Sequence, residues 1–115
     1  MTILLVEDDD RVIRAVQRLA RILGHELFWA RSSREALDRV EQGGIDVVLA
    51  DLDLGSESGL DVLDRIRGQF PEVKRVLISG SDPPPDFADD PPRQLFLAKP
   101  FGRAEFESLC DAVGG

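Results

Sequence analysis

A short apolar run that ends on a carboxylate constrains the fold of this chain more than any other feature. Residues 47–50, VVLA, are followed directly by Asp51. An apolar run of this length is typical of a strand buried on both faces, as in a parallel sheet covered by helices. A loop follows, and a helical pattern begins at Gly59. Because ligands bind just beyond the carboxyl ends of strands in open α/β sheets, Asp51 is a candidate site residue.

Four further apolar runs alternate with helical patterns along the chain. The predicted strands cover residues 3–6, 26–30, 46–50, 75–78 and 94–98. Ser32 and Glu35 form a capping box that starts the second predicted helix. Strands that alternate with helices predict one α/β domain over residues 1–115. We expect a flavodoxin-like, doubly wound, five-stranded parallel sheet of order 2-1-3-4-5, in which the first strand lies beside the third.

A proline-rich segment interrupts this pattern between the fourth and fifth predicted strands. Residues 81–93, SDPPPDFADDPPR, hold five of the seven prolines of the chain. Proline is tolerated only in the first turn of a helix, and the residue before it avoids helical dihedral angles. We therefore predict that the fourth helix is missing or reduced to about one turn. A mobile loop would replace it, with Phe87 as the residue that could hold the loop to the core.

Composition excludes several classes of protein. The chain has 115 residues and a formal net charge of −8, which disfavours direct binding of nucleic acid. No apolar run approaches the ~18 residues that a membrane span needs, and the N-terminus turns acidic too early for a signal peptide. One cysteine cannot form an internal disulfide. These features indicate a cytoplasmic protein. The one tryptophan, Trp29, is interpreted as a packing residue.

Polar side chains follow four of the predicted strands where each strand ends. They are Glu7 and Asp8, Asp51, Ser79, and Lys99. Carboxylates that converge repel one another unless a cation lies between them, and oxygen ligands of this kind suit Mg²⁺. A carboxylate beside Mg²⁺ can attack phosphorus, while a lysine neutralises charge on the transferred group.

These motifs resemble the receiver domain of two-component response regulators, the CheY-like family, over the full length of the chain. The acidic pair lies in LLVEDDD, and Gly59 follows Asp51 at the family's spacing of eight residues. Ser79 ends VLISG, and Lys99-Pro100-Phe101 ends LAKPF. Each motif alone is weak evidence, but their common order and spacing make the resemblance specific.

The resemblance assigns a role to each matching residue. It implies that Asp51 accepts a phosphoryl group from a histidine kinase or a phosphotransfer protein. The other implied roles are Mg²⁺ binding by Glu7, Asp8, Asp51 and the backbone carbonyl of Asp53; phosphate binding or switching by Ser79, Lys99 and Phe96; and a cis peptide bond before Pro100. The protein would act as a signalling switch, and its only catalysis would be its own phosphoryl uptake and loss.

The chain departs from the family pattern at three positions. Gly55 replaces the usual proline, which should loosen the loop after Asp51. Asp53 adds a charge, and Phe96 lacks a tyrosine hydroxyl.

An unphosphorylated pseudo-receiver that binds proteins is one alternative function. A phosphatase of the haloacid dehalogenase type is another, because Asp51-Leu52-Asp53 resembles its DxD motif; that motif, however, lies on the first strand of such enzymes.

Overall fold

The computed structural model describes residues 1–114 and consists of a parallel sheet between two layers of helices. The strands are β1 Thr2–Val6, β2 Glu26–Ala30, β3 Val47–Asp51, β4 Asp53–Leu54, β5 Glu57–Ser58, β6 Lys74–Ser79 and β7 Gln94–Ala98. The helices are α1 Asp10–Ile22, α2 Ser33–Glu41, α3 Gly59–Gln69 and α4 Arg103–Gly114. Among these residues, no helix is long and apolar enough to cross a membrane.

The five long strands form one parallel sheet in the order β2-β1-β3-β6-β7. Counted along the chain without the short pair β4 and β5, this order is 2-1-3-4-5, and the prediction is confirmed. Alternate residues of β1 enter two separate cores because successive side chains of a strand point to opposite faces. Leu4 and Val6 pack in the core under α2 and α3, whereas Ile3 and Leu5 pack in the core under α1 and α4.

Polar side chains cap the starts of the helices that lead away from the sheet. Asp9 Oδ1 accepts a hydrogen bond from the N–H of Arg11 at 2.9 Å and starts α1. Ser32 Oγ accepts one from the N–H of Glu35 at 3.3 Å and starts α2. The second half of the predicted capping box is shifted, because the Glu35 carboxylate accepts from the N–H of Arg31 instead of Ser32.

The connection between β6 and β7 contains no α-helix, as the prolines predict. A buried polar network holds it instead. Arg75, only 3% exposed, donates from Nε to Gln94 Oε1 at 3.0 Å and from a guanidinium N–H to the Val73 carbonyl at 2.8 Å. Gln94 Nε2 in turn donates to the Ala88 carbonyl at 2.8 Å. The strand residues thereby satisfy loop carbonyls that no helix occupies.

An aromatic pair provides the second anchor of this connection. Phe87 packs edge-on against Phe96 of β7, with ring centroids 6.0 Å apart, and both contact the core under α2 and α3. The loop is therefore fastened to the sheet by Phe87, the residue that sequence pointed to.

Trp29 is not the packing residue that was expected. It lies on β2, at the edge of the sheet, and 47% of it is exposed.

Candidate functional site

The predicted site residues meet at the carboxyl edge of the sheet because the four strands that carry them are parallel neighbours. Asp51 is the last residue of β3 and Ser79 the last of β6, while Glu7 and Lys99 directly follow β1 and β7. In the register of β3 with β6, Asp51 lies opposite Ile78, so that Ser79 extends one residue beyond it. The sheet order alone thus brings these distant residues together.

Asp51 is held by a lysine and by a backbone amide. Its side chain accepts a hydrogen bond from Lys99 Nζ at 2.6 Å and one from the N–H of Asp53 at 3.1 Å, and the residue is 6% exposed. Burial acts to raise the pKa of Asp51, but the neighbouring Glu7 carboxyl and the hydrogen bonds from Lys99 and the Asp53 N–H outweigh it and hold that pKa below its ordinary value. Asp51 is consequently ionised at neutral pH.

Glu7 is a buried carboxylate with one unused oxygen. It is 1% exposed, and its Oε1 accepts hydrogen bonds from the N–H groups of Asp8 and Asp9 at 3.2 and 3.1 Å. Its Oε2 lies 3.8 Å from Lys99 Nζ and has no hydrogen-bond partner among residues 1–114. Burial raises the pKa of Glu7 to about 7, and the neighbouring Asp51 carboxylate acts in the same direction.

Lys99 is the cation that compensates this carboxylate pair. Burial acts to lower its pKa, but the hydrogen bond to Asp51 and the charges of Asp51 and Glu7 outweigh burial and raise it. The peptide bond between Lys99 and Pro100 is cis. Lys99 Nζ thus lies 3.8 Å from Glu7 Oε2 and 2.6 Å from Asp51 Oδ2.

Asp8, unlike Glu7, is exposed, and its side chain faces the turn at Gly55. A Cβ atom placed on Gly55 would lie 3.6 Å from its Oδ2. Within residues 1–114, no three Asp, Glu, His or Cys side chains are grouped closely enough to hold a metal ion as they stand. The unused Oε2 of Glu7 beside Asp51 is nevertheless the kind of oxygen that a hard cation would take.

The loop after Asp51 is a hairpin and not a loosened segment, which corrects the expectation from Gly55. Strands β4 and β5 pair antiparallel, with Asp53 opposite Ser58 and Leu54 opposite Glu57. Gly55 lies in the turn with φ +72°, a conformation that proline cannot adopt. The replacement of proline by glycine thus permits a different, hydrogen-bonded loop.

Gly59 explains the spacing of eight residues from Asp51. Its N–H donates to the Leu52 carbonyl at 2.9 Å. A Cβ at this position would lie 2.0 Å from the Asp51 carbonyl oxygen and 2.6 Å from its carbonyl carbon. The start of α3 can approach β3 this closely only without a side chain, so Gly59 shapes the backbone that carries Asp51.

Three supporting residues were not identified from the sequence. Ser81 donates its N–H to Ser79 Oγ at 3.1 Å and places its own hydroxyl 3.0 Å from it. Glu57 accepts hydrogen bonds from both the N–H and the hydroxyl of Ser33, which ties the hairpin to the start of α2. The sequence signals were the SGS triplet that begins at the last residue of β6 and a carboxylate in a short polar loop, both of which are common.

Comparison with known proteins agrees with this geometry. The sequence matches the response regulator receiver domain family over residues 3–111. The swarming motility regulation protein RssB of Serratia marcescens is 33% identical over 115 residues, covering 98% of this chain and 52% of RssB. The chain thus spans about half the length of that relative.

Solved structures give the same result. A CheY-like response regulator receiver domain from Methylobacillus flagellatus has a TM-score of 0.82 at 26% identity, covering 98% of both chains. The response regulator TrrA from Thermotoga maritima, in complex with Mg²⁺ and BeF, has a TM-score of 0.85 at 24% identity, covering 97% of both chains. The likeness to TrrA shows the fold alone.

Proposed function

The chain belongs to the response regulator receiver domain family, and on that premise we propose that it is a phosphorylatable signalling switch. Asp51 accepts a phosphoryl group from a phosphohistidine on a histidine kinase or a phosphotransfer protein. The observation that carries the proposal is a buried, ionised carboxylate at the edge of the sheet with Lys99 Nζ 2.6 Å away. The receiver is proposed to comprise residues 1–115 and to act in the cytoplasm.

The transfer is a displacement at phosphorus. An oxygen of Asp51 forms the new bond, the bond from phosphorus to the histidine nitrogen breaks, and the imidazole keeps the electron pair. Asp51 is ionised and needs no general base to remove a proton. Lys99 then stabilises the charge that develops on the phosphoryl oxygens, as a positioned cation does in phosphoryl transfer.

The neighbouring strand ends complete the site. The Ser79 hydroxyl, oriented by the Ser81 N–H, is available as a hydrogen-bond donor to a phosphoryl oxygen. Glu7 and Asp51, with Asp8 and the Asp53 carbonyl, are the residues that would hold Mg²⁺. When bound, Mg²⁺ offsets the charge of the carboxylates and of the phosphoryl group. The unused Glu7 Oε2 supports this assignment.

Phe96 is the proposed switching aromatic. It lies on β7, near Lys99, and packs against Phe87 of the proline-rich connection. If Phe96 moves on phosphorylation, its contact with Phe87 would displace the proline-rich connection, which lies at the surface.

Intact-mass spectrometry after incubation with acetyl phosphate and Mg²⁺ tests the proposal. The unmodified chain should gain the mass of one phosphoryl group, and Asp51→Asn should gain none because the nucleophile is removed. Asp64→Asn, an exposed position on α3, is the matched control and should be labelled like the unmodified chain. Labelling of Asp51→Asn would refute the acceptor, and an unlabelled parent chain would favour a binding module of the same fold.

A further inference from the structure

The edge of the sheet at β2 is basic and aromatic although the chain as a whole is acidic. Residues 11–40 hold seven arginines and three carboxylates, a formal charge of +4, whereas the total for the chain is −8. Arg14, Arg18, Arg21 and Arg34 are exposed, and none of them forms an ion pair with any residue of the described chain 1–114. Arg11 and Arg31 are paired with Asp9 and Asp10, and these four exposed arginines carry most of the remaining positive charge of the segment.

The arginines of α1 lie on the flank that faces this edge. Arg14, Arg18 and Arg21 recur at helical spacing on one stripe. The opposite flank, with Val12 and Leu19, lines a groove shared with residues 99–101 after β7. Because α1 packs against β2, the arginine stripe lies on the β2 side of α1 and away from that groove.

Aromatic rings complete the surface on β2 itself. Trp29 is 47% exposed, and Phe28 lies under the guanidinium of Arg39 at 4.4 Å from the ring centroid. A shallow groove of about 360 Å³ runs beside them, lined by Phe28, Trp29, Ala30, Arg31, Glu35 and Arg39. We call the combination of this groove and the arginine stripe of α1 the β2-edge surface. Grooves lined by aromatic rings bind extended, proline-rich segments, and arginines select carboxylates beside them.

A segment with this chemistry is present in the same chain. The acidic loop, residues 81–93, holds five prolines, four aspartates and one arginine. All its residues are exposed except Pro84 and Phe87, which are partly buried. Its anchors are Phe87 on Phe96 and Ala88 on Gln94, so little conformational entropy remains to be lost when it binds.

The acidic loop cannot reach the β2-edge surface of its own chain. It joins β6 to β7, and β7 and β2 are the opposite edges of the sheet. We propose that the β2-edge surface binds the acidic loop of a second copy of this chain, so that copies associate head to tail. Prolines of the loop lie on Trp29, and its aspartates pair with the arginines of α1. Such a contact is heterologous and extends to chains of molecules instead of closing as a symmetric dimer. The net charge of −8 disfavours nucleic acid as the occupant.

Sedimentation velocity of the whole chain over a concentration series tests the association. At ~0.01 M salt the weight-average mass should rise with concentration above that of one chain, and at ~1 M salt it should not, because salt screens exposed charges. Trp29 is the only tryptophan, and its emission should shift over the same concentration range. A chain that stays monomeric at low salt and high concentration would overturn the proposal.

Two double variants, each with uncharged replacements, then test whether these two surfaces bind each other. Trp29→Ala with Arg18→Gln removes the β2-edge surface, and Asp86→Asn with Asp89→Asn weakens the acidic loop. Each variant alone should be monomeric, but an equimolar mixture should form a one-to-one dimer, because one intact contact remains possible. In that mixture only the Asp86→Asn/Asp89→Asn variant carries Trp29, and a shift of its emission should report binding.

Two control variants make the same charge changes on α3: Arg67→Gln alone, and Asp61→Asn with Asp64→Asn. All three positions are exposed, and both variants should associate like the unmodified chain. Circular dichroism should show that every variant is folded, since each substitution lies at an exposed position. If either test variant still associates alone, or if the mixture stays monomeric, the two surfaces do not bind each other and the proposal is wrong.

Discussion

Two connections leave the same edge of the sheet, and they are held in different ways. The loop after β3, residues 52–58, is held by backbone hydrogen bonds of a hairpin and by the close approach of Gly59 to Asp51. The connection between β6 and β7 contains five prolines, which have no N–H. It keeps a few backbone hydrogen bonds, such as the one from the Phe87 N–H to the Pro84 carbonyl, and the side chains of Gln94 and Phe87 add further anchors, with Arg75 holding Gln94. Where prolines remove backbone donors, side chains of the neighbouring strands supply additional anchors.

The largest effect is expected where the first loop is tightest. Gly59→Ala places a Cβ 2.0 Å from the Asp51 carbonyl oxygen, so β3 or α3 must shift. The free energy of unfolding should fall by about 3 kcal/mol, as in overpacked sites, and phosphorylation by acetyl phosphate should slow. Gly68→Ala in the same helix meets nothing within 4 Å and should stabilise by about 0.5–1 kcal/mol. Equal stabilities of the two variants in urea would contradict the close approach.

A smaller effect is expected at the anchor of the second connection. Arg75→Met keeps most of the side chain but leaves Gln94 Oε1 and the Val73 carbonyl without their donor, which should cost about 2 kcal/mol. Amide hydrogen exchange should accelerate in residues 86–90, while Asp51 should still be phosphorylated. Arg93→Met breaks only a surface ion pair of 3.9 Å with Asp90 and should cost less than about 1 kcal/mol. Unchanged exchange in Arg75→Met would show that the network does not hold the loop.

The pH dependence of stability tests the electrostatics of the site. Glu7 has its pKa raised from 4.5 to about 7, so the folded chain binds more protons than the unfolded chain between these values. Without Mg²⁺, the free energy of unfolding should therefore decrease as pH rises from 4.5 to 7, by on the order of 1 kcal/mol. Glu7→Gln should flatten this slope, whereas Glu105→Gln, an exposed position, should not. Identical slopes in all three proteins would show that Glu7 is not perturbed.

The smallest effect concerns one exposed charge in each connection. Asp53→Asn removes a negative charge beside the pocket and should raise the rate of phosphorylation by acetyl phosphate about twofold at low salt. Asp86→Asn makes the same change in the connection between β6 and β7 and should leave the rate unchanged. Stopped-flow measurement of both variants compares the two loops directly. Equal rates for the two variants would show that the charge of Asp53 does not slow phosphorylation by acetyl phosphate.

Sequence patterns predicted the parts of this molecule that depend on periodicity. β7, residues 94–98, is where the apolar run placed it, and the sheet order follows from the alternation of strands and helices. The missing helix was also predictable because proline acts locally, through its own ring and the residue before it.

What sequence did not reveal depends on side-chain partners from distant segments. The hairpin of residues 53–58 has no apolar alternation, so strands of two residues gave no signal. Arg75 shows only as a charge at the start of an apolar run, and its partner Gln94 lies on another strand. Asp8 follows Glu7 in the sequence, yet one is exposed and the other is buried, a difference that depends on rotamer and packing.

The most direct test of the account is the response of the backbone amide resonances to Mg²⁺ and beryllofluoride, a stable mimic of the phosphoryl group. We predict large chemical-shift changes at residues 51–53, 79–81 and 99, and smaller ones at Phe87 and Phe96, all of them absent in Asp51→Asn. If the parent chain shows no such changes, or if Asp51→Asn shows the same ones, then Asp51 is not the phosphoacceptor and the central claim fails.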